Sequence, residues 1–163
     1  PSPPETGKTF EENSKIKAEY FAKKSNLISI SDDSGLIIDI LSGAPGIYSS
    51  RWAGSTNNFN VAIEKVYGEL KKIKFEWNKG KKVVARYVSC LTVYWSNEKF
   101  ISSTGIVEGR ISENKKGSNG FGYDPIFIPS GYDKTFGELD PQKKIKIDHR
   151  SKAFQKISNL FIG

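Results

Sequence analysis

Apolar positions along this chain follow two periods. Phe59, Ile63, Val66 and Leu70 are spaced by four, three and four residues, the spacing of one helix face. Residues 83–95 instead form a β-branched and aromatic run, and residues 100–111 form a second. The polar stretch Ser96-Asn97-Glu98-Lys99 between them predicts a long antiparallel hairpin. Upstream, Thr9-Phe10-Glu11-Glu12 has the form of a capping box, with Thr9 capping the third amide and Glu12 reaching back, and predicts a helix to about residue 24. Residues 27–31 alternate as a short strand that halts at Asp32-Asp33-Ser34-Gly35; residues 36–41 read as another strand, and Gly43-Ala44-Pro45-Gly46 as a turn. Residues 112–120 are polar and glycine-containing, a loop, and 125–129 carry Ile126, Phe127 and Ile128 as a short buried strand. Asp140-Pro141 starts a helix, with proline at the first helical position. Beyond His149-Arg150, Phe154, Ile157 and Phe161 keep helical spacing up to the terminal Gly163. Helices and strands thus interleave around a central hairpin. That predicts an α/β or α+β fold with a mixed sheet and argues against a helical bundle or a β-sandwich.

Composition narrows the setting. The 163 residues suit a single domain spanning 1–163, large enough to bury a core without a disulfide or metal staple. The single cysteine, Cys90, lies in an apolar run and reads as a buried, inert thiol; alone it makes no internal disulfide, which points to a reducing, cytoplasmic setting. No run of about 18 apolar residues predicts a membrane span, and no secretory signal opens the chain. The sequence holds no methionine and opens on Pro1-Ser2-Pro3-Pro4, so further residues are expected ahead of it. A net charge of +7 suits a polyanionic ligand, a nucleotide or a nucleic acid. The lysines, however, are scattered in pairs such as Lys71-Lys72 and Lys115-Lys116, which favours a solvated surface over one basic arm.

Three short constellations can carry chemistry. In Asp32-Asp33-Ser34-Gly35, adjacent side chains at a strand end point to opposite sides, so one carboxylate is free to hold Mg²⁺ or take a proton from water; an ordinary Asx turn explains the same residues. In Ser118-Asn119-Gly120-Phe121-Gly122-Tyr123-Asp124-Pro125, glycines bracket an aromatic ring, which suits a flat base, and equally suits a turn into a buried strand. Asp148-His149-Arg150 holds the only histidine beside an arginine, offering donors to a carbonyl or phosphate, or simply a solvated helix face.

In order and together, Glu5-Thr6-Gly7, Thr9-Phe10-Glu11-Glu12-Asn13, Asp32-Asp33-Ser34-Gly35-Leu36, Gly43-Ala44-Pro45-Gly46-Ile47-Tyr48-Ser49-Ser50-Arg51, Gly120-Phe121-Gly122-Tyr123-Asp124-Pro125 and His149-Arg150 resemble the inosine triphosphate pyrophosphatase family, also called XTP/dITP diphosphatases. The likeness runs from about Glu5 to the C-terminal helix. It implies an elongated, two-lobed α/β domain with a long mixed sheet flanked by helices and a site in the cleft. It also implies Mg²⁺-dependent cleavage of ITP, dITP or XTP to the monophosphate and pyrophosphate, by a homodimer; no membrane and no stable nucleic-acid partner are expected. By the same resemblance Asp33 is the catalytic, metal-binding carboxylate, Glu5 a second metal position, Ser34 a substrate contact and Lys17 a phosphate-binding lysine. Phe121, Gly122, Tyr123 and Asp124 match the base-binding loop, and Lys144, His149 and Arg150 the C-terminal substrate contacts; Arg51 matches a position near the cleft. Lys17, Lys144 and Mg²⁺ would neutralise a triphosphate of about four negative charges, and donors from Arg150, His149 or loop amides would accept a 6-oxo base while meeting adenine's amine donor-to-donor.

Two departures stand out. The family's N-terminal strand, and the loop that grips the triphosphate, have no counterpart in this chain, and Asp148 stands where serine is common. The alternatives are a septum-inhibitor-like enzyme preferring modified pyrimidines, a basic nucleic-acid-binding module, and an inactive truncated member.

Overall fold

A computed structural model describes residues 1–162, with the backbone alone for Ile162. The first helix, α1, spans Phe10–Ser25, and Thr9 caps it by accepting from the Glu12 N–H at 3.0 Å. The returning Glu12 carboxylate takes the Lys8 N–H at 2.6 Å, one residue earlier than a capping box requires. Acidic residues open this helix and Lys23 and Lys24 close it, matching the helix dipole. Strand β1 spans Ser29–Ile38 without interruption. The predicted break at Asp32-Asp33-Ser34-Gly35 does not occur, because the strand pairs with its neighbour in the sheet and Asp32 and Asp33 find side-chain partners on other elements. The second predicted strand likewise shortens, and Asp39–Leu41 turns as a 3₁₀ segment.

Helix α2 is Phe59–Lys72, capped by Asn58, and buries Ala62, Ile63, Val66 and Leu70 along the predicted face. Strands β2, Val84–Tyr94, and β3, Phe100–Ile111, are the predicted hairpin, and a link this short permits only antiparallel pairing. Strand β4, Phe127–Pro129, runs antiparallel to β3 with Ile111 opposite Phe127. The sheet order is β1-β2-β3-β4, giving the α/β architecture. Helix α3, Pro141–Ile147, starts at its proline as predicted, and α4 begins at His149. The helical spacing of Phe154, Ile157 and Phe161 does fall in a helix; Ile157 is buried with Ala153, whereas Phe154 and Phe161 are 60% and 56% exposed. Gly163 lies outside the described residues. No helix among the described residues is long and apolar enough to cross a membrane.

The chain forms two compact units. One comprises Pro1–Ser34, Val88–Ile106 and the chain from Asp148 onward; the other comprises Gly35–Tyr87 and Val107–Ile147. The second unit has a large apolar core, in which α2 packs with Leu36, Ile38, Tyr87 and Phe127. In the first unit the apolar cluster is small, Ala18, Ala22 and Tyr94, and polar contacts complete the packing. Ser14 of α1, fully buried, hydrogen-bonds to the Ser31 carbonyl at 3.0 Å and to Thr92 at 2.8 Å, and Thr92 in turn meets Ser102 at 2.7 Å. Helix α4 rests on β3 where Gly105 leaves room: a Cβ there would lie 2.0 Å from the His149 carbonyl oxygen. The Ser103 hydroxyl donates to the Ala153 carbonyl at 2.6 Å across the same contact.

Candidate active site

In the first unit, strand alternation sends Asp32 and Asp33 to opposite faces of β1. Asp33 is 7% exposed, and its Oδ1 accepts from the Lys17 ammonium at 3.0 Å. Lys17 lies in α1, two turns beyond the cap, and also pairs with Glu5 at 3.1 Å. One ammonium therefore serves two carboxylates. Burial pushes Asp33 up to about 6, even though the neighbouring Lys17 ammonium pulls it back. Burial works against the Lys17 charge, yet Asp33 and Glu5 outweigh it, and the lysine stands above its ordinary value of 10.5. The second oxygen of Asp33, Oδ2, is buried with no hydrogen-bond partner. Such an oxygen carries a desolvation cost that a cation would relieve.

On the opposite face, Asp32 Oδ2 accepts from the Ser34 hydroxyl at 2.8 Å and from Arg150 Nε at 2.9 Å. Ser34 and Asp32 share that face because they are two residues apart. Arg150 is the second residue of α4, and Asp148 caps this helix by accepting from the Ser151 N–H at 2.8 Å. Serine and aspartate are both strong caps, so the departure at Asp148 preserves a helix start. The first residue, His149, is 2% exposed.

In the second unit the loop ahead of β4 is organised by Asp124, 1% exposed, whose Oδ2 accepts from the Phe121 N–H and from the Lys144 ammonium, each at 3.0 Å. Gly120 and Gly122 take positive φ, 73° and 62°, which lets the loop fold back on that carboxylate. Lys144 reaches Asp124 from α3, its ammonium 4.6 Å from the Phe121 ring centre and 5.7 Å from that of Phe136. Phe121 presents a half-open ring, 53% exposed. Tyr123 does the reverse: it is 1% exposed, donates its hydroxyl to the Ser49 carbonyl at 2.7 Å and packs edge-on against Phe59. Its ring is thus part of the core, although the loop had been expected to offer it to substrate. Arg51 stacks on Tyr48, with its guanidinium 4.9 Å from the ring centre.

A sequence profile of the Ham1 family matches residues 1–160. The chain belongs to the Ham1 family. Among its relatives, a dITP/XTP pyrophosphatase of Bacillus subtilis is 48% identical over 156 residues, spanning 96% of this chain and 76% of that protein. One from Oceanobacillus iheyensis is 44% identical over 153 residues, covering 94% and 75%. Among solved structures, the HAM1 protein of Coxiella burnetii aligns with a TM-score of 0.88 at 37% identity, covering 99% of this chain and 81% of that one. The Staphylococcus aureus Ham1 protein aligns with a TM-score of 0.86 at 38% identity, covering 98% and 80%.

One contact at the candidate site of this Ham1-family chain has no local sequence signal. Asp32 was seen only as the neighbour of Asp33; the Arg150 that it holds is 118 positions away, and no local pattern announces such a pairing.

Proposed function

We propose that this protein hydrolyses non-standard purine nucleoside triphosphates, dITP and XTP foremost, to the monophosphate and pyrophosphate. The observation that carries the reading is the Glu5–Lys17–Asp33 cluster, with its surplus carboxylate and unpartnered buried oxygen, in a chain 48% identical to a dITP/XTP pyrophosphatase.

Among the described residues no group of three or more His, Cys, Asp or Glu side chains gathers as a metal cluster. Two carboxylates of hard oxygen donors nonetheless fit Mg²⁺, which keeps several waters and takes its remaining oxygens from phosphate. Glu5 and Asp33 would hold it, and when bound it would supply positive charge against the phosphate oxygens. Asp33, poised near neutrality, is the group to accept a proton from the attacking water. Lys17 orients Asp33 and adds a positive charge for the phosphates. Phe121 is the ring for the base to stack on, with Gly122 giving the loop its turn and Asp124 and Lys144 fixing its backbone. Ser34, His149 and Arg150 offer donors, and a donor set rejects adenine's amine by leaving polar groups unpaired. A homodimer and a cytoplasmic setting complete the reading.

The test is pyrophosphate release from dITP beside dATP, dGTP and dTTP, with and without Mg²⁺. Turnover that requires the metal and favours dITP over dATP by at least about tenfold is expected. Hydrolysis of none of the four, together with steeply salt-dependent DNA binding, would replace this reading with that of a nucleic-acid-binding module.

A further inference from the structure

Lys17 and Asp33 are positioned by regular structure, one on α1 and the other on β1. Glu5 is not: it lies ahead of α1 on a segment with no helix or strand of its own. Its carboxylate still meets Lys17 at 3.1 Å, so something else restrains it. The Gly7 N–H donates to Asn13 Oδ1 at 2.8 Å, and the next amide, Lys8 N–H, donates to Glu12. Asn13 is fully buried and stands one helical turn before Lys17 on the same face of α1. A Cβ on Gly7 would lie 2.7 Å from Asn13 Oδ1 and 2.7 Å from Glu12 Cβ. Glycine at this position therefore supplies room for a close approach.

Stability alone does not account for Asn13. Asparagine is a weak helix former, and its Nδ2 is buried with no hydrogen-bond partner, a cost that alanine or leucine would avoid. Its acceptor is the half in use, and that half holds the backbone two residues from Glu5.

We propose that Asn13 and Gly7 form a clamp that holds Glu5 beside Lys17 and Asp33, which makes Asn13 a positioning residue of the candidate metal and phosphate centre. The proposal rests on the reading of Glu5 and Asp33 as a metal-binding pair. Asn13→Ala and Gly7→Ala attack one contact from opposite sides, and Gly7 is only half-buried, so that variant does not open the core.

The experiment is a Mn²⁺ titration by electron paramagnetic resonance of the wild-type chain, both single variants and the double, with thermal melts alongside. Each single variant is expected to bind Mn²⁺ about tenfold more weakly, the loss typical of a displaced supporting contact. The double should be no more than about twofold weaker than either single, because both changes break the same contact. Melting temperatures that fall while Mn²⁺ midpoints stay put would overturn the clamp, as would a normal midpoint in Gly7→Ala. If the wild-type chain binds no Mn²⁺, the metal reading itself fails, and amide exchange decides the clamp. Gly7 exchange about tenfold faster in Asn13→Ala sustains it, and unchanged exchange overturns it.

Discussion

Two buried carboxylate–lysine contacts have the same length and opposite characters. Asp33–Lys17 and Asp124–Lys144 are each 3.0 Å. In the second, Asp124 Oδ2 takes both the Phe121 amide and the ammonium, and aromatic rings flank the lysine. The first is incomplete: Lys17 is shared with Glu5, Asp33 keeps an unpartnered buried oxygen, and burial lifts its pKa to about 6. The two contacts share a distance and differ in the hydrogen bonding around the carboxylate. The surroundings follow suit, since the complete pair sits in the unit with the large apolar core, and the incomplete one in the unit whose first helix is docked partly through hydroxyls.

The contrast can be broken from either side. Asp33→Asn should cut dITP hydrolysis by about 10³-fold or more while the thermal melt shows an intact fold. Lys144→Ala takes the cation away from the interior Asp124 carboxylate; urea denaturation should register a loss of about 3–5 kcal/mol. A third test sharpens the comparison through pH, with metal chelated. Asp33 holds its proton to about 6 in the folded protein and to about 3.8 in the unfolded chain. Between those values the folded state binds more protons, so stability falls as pH rises through the window, by about 3 kcal/mol in the limit. Asp33→Asn should flatten that limb, and an unchanged limb would mean that Asp33 titrates normally. The smallest effect is expected at the hydroxyl contact: Ser14→Ala should cost about 1 kcal/mol, read from the same denaturation curves.

The sequence announced most of the backbone. β3 begins and ends where its apolar run does, β2 falls within one residue of each end of its run, and the α2 stripe is buried as its spacing demanded. These elements were legible because their order is local. β1 was misread for the same reason: Asp-Asp-Ser-Gly is turn chemistry by local rules, and its extension depends on distant partners, the paired strand β2 and side chains from α1 and α4. The spacing of Phe154, Ile157 and Phe161 announced the helix α4 without saying which of the three would be covered. At the site, adjacency showed that Asp32 and Asp33 would diverge. That Glu5, Lys17 and Asp33 would serve one centre came from the family resemblance, which did not say that Lys17 would pair with both carboxylates. That Tyr123 would be taken up by the core came from neither, because its partner carbonyl at Ser49 is 74 positions away.

The alternation of β1 also bears on how the gene can vary. The two faces read consecutive residues, so a change in strand length acts like a frame shift in the code they present. Inserting one residue just before Asp32 would bring Asp32 into the place that Asp33 holds opposite Lys17, keeping a carboxylate there but setting the inserted residue against Arg150. Deleting one residue would instead bring Ser34 opposite Lys17 and remove the carboxylate altogether. The doubled aspartate thus makes the centre tolerant of error in one direction only, and paired insertion and deletion variants, scored for Mn²⁺ binding, would expose that asymmetry.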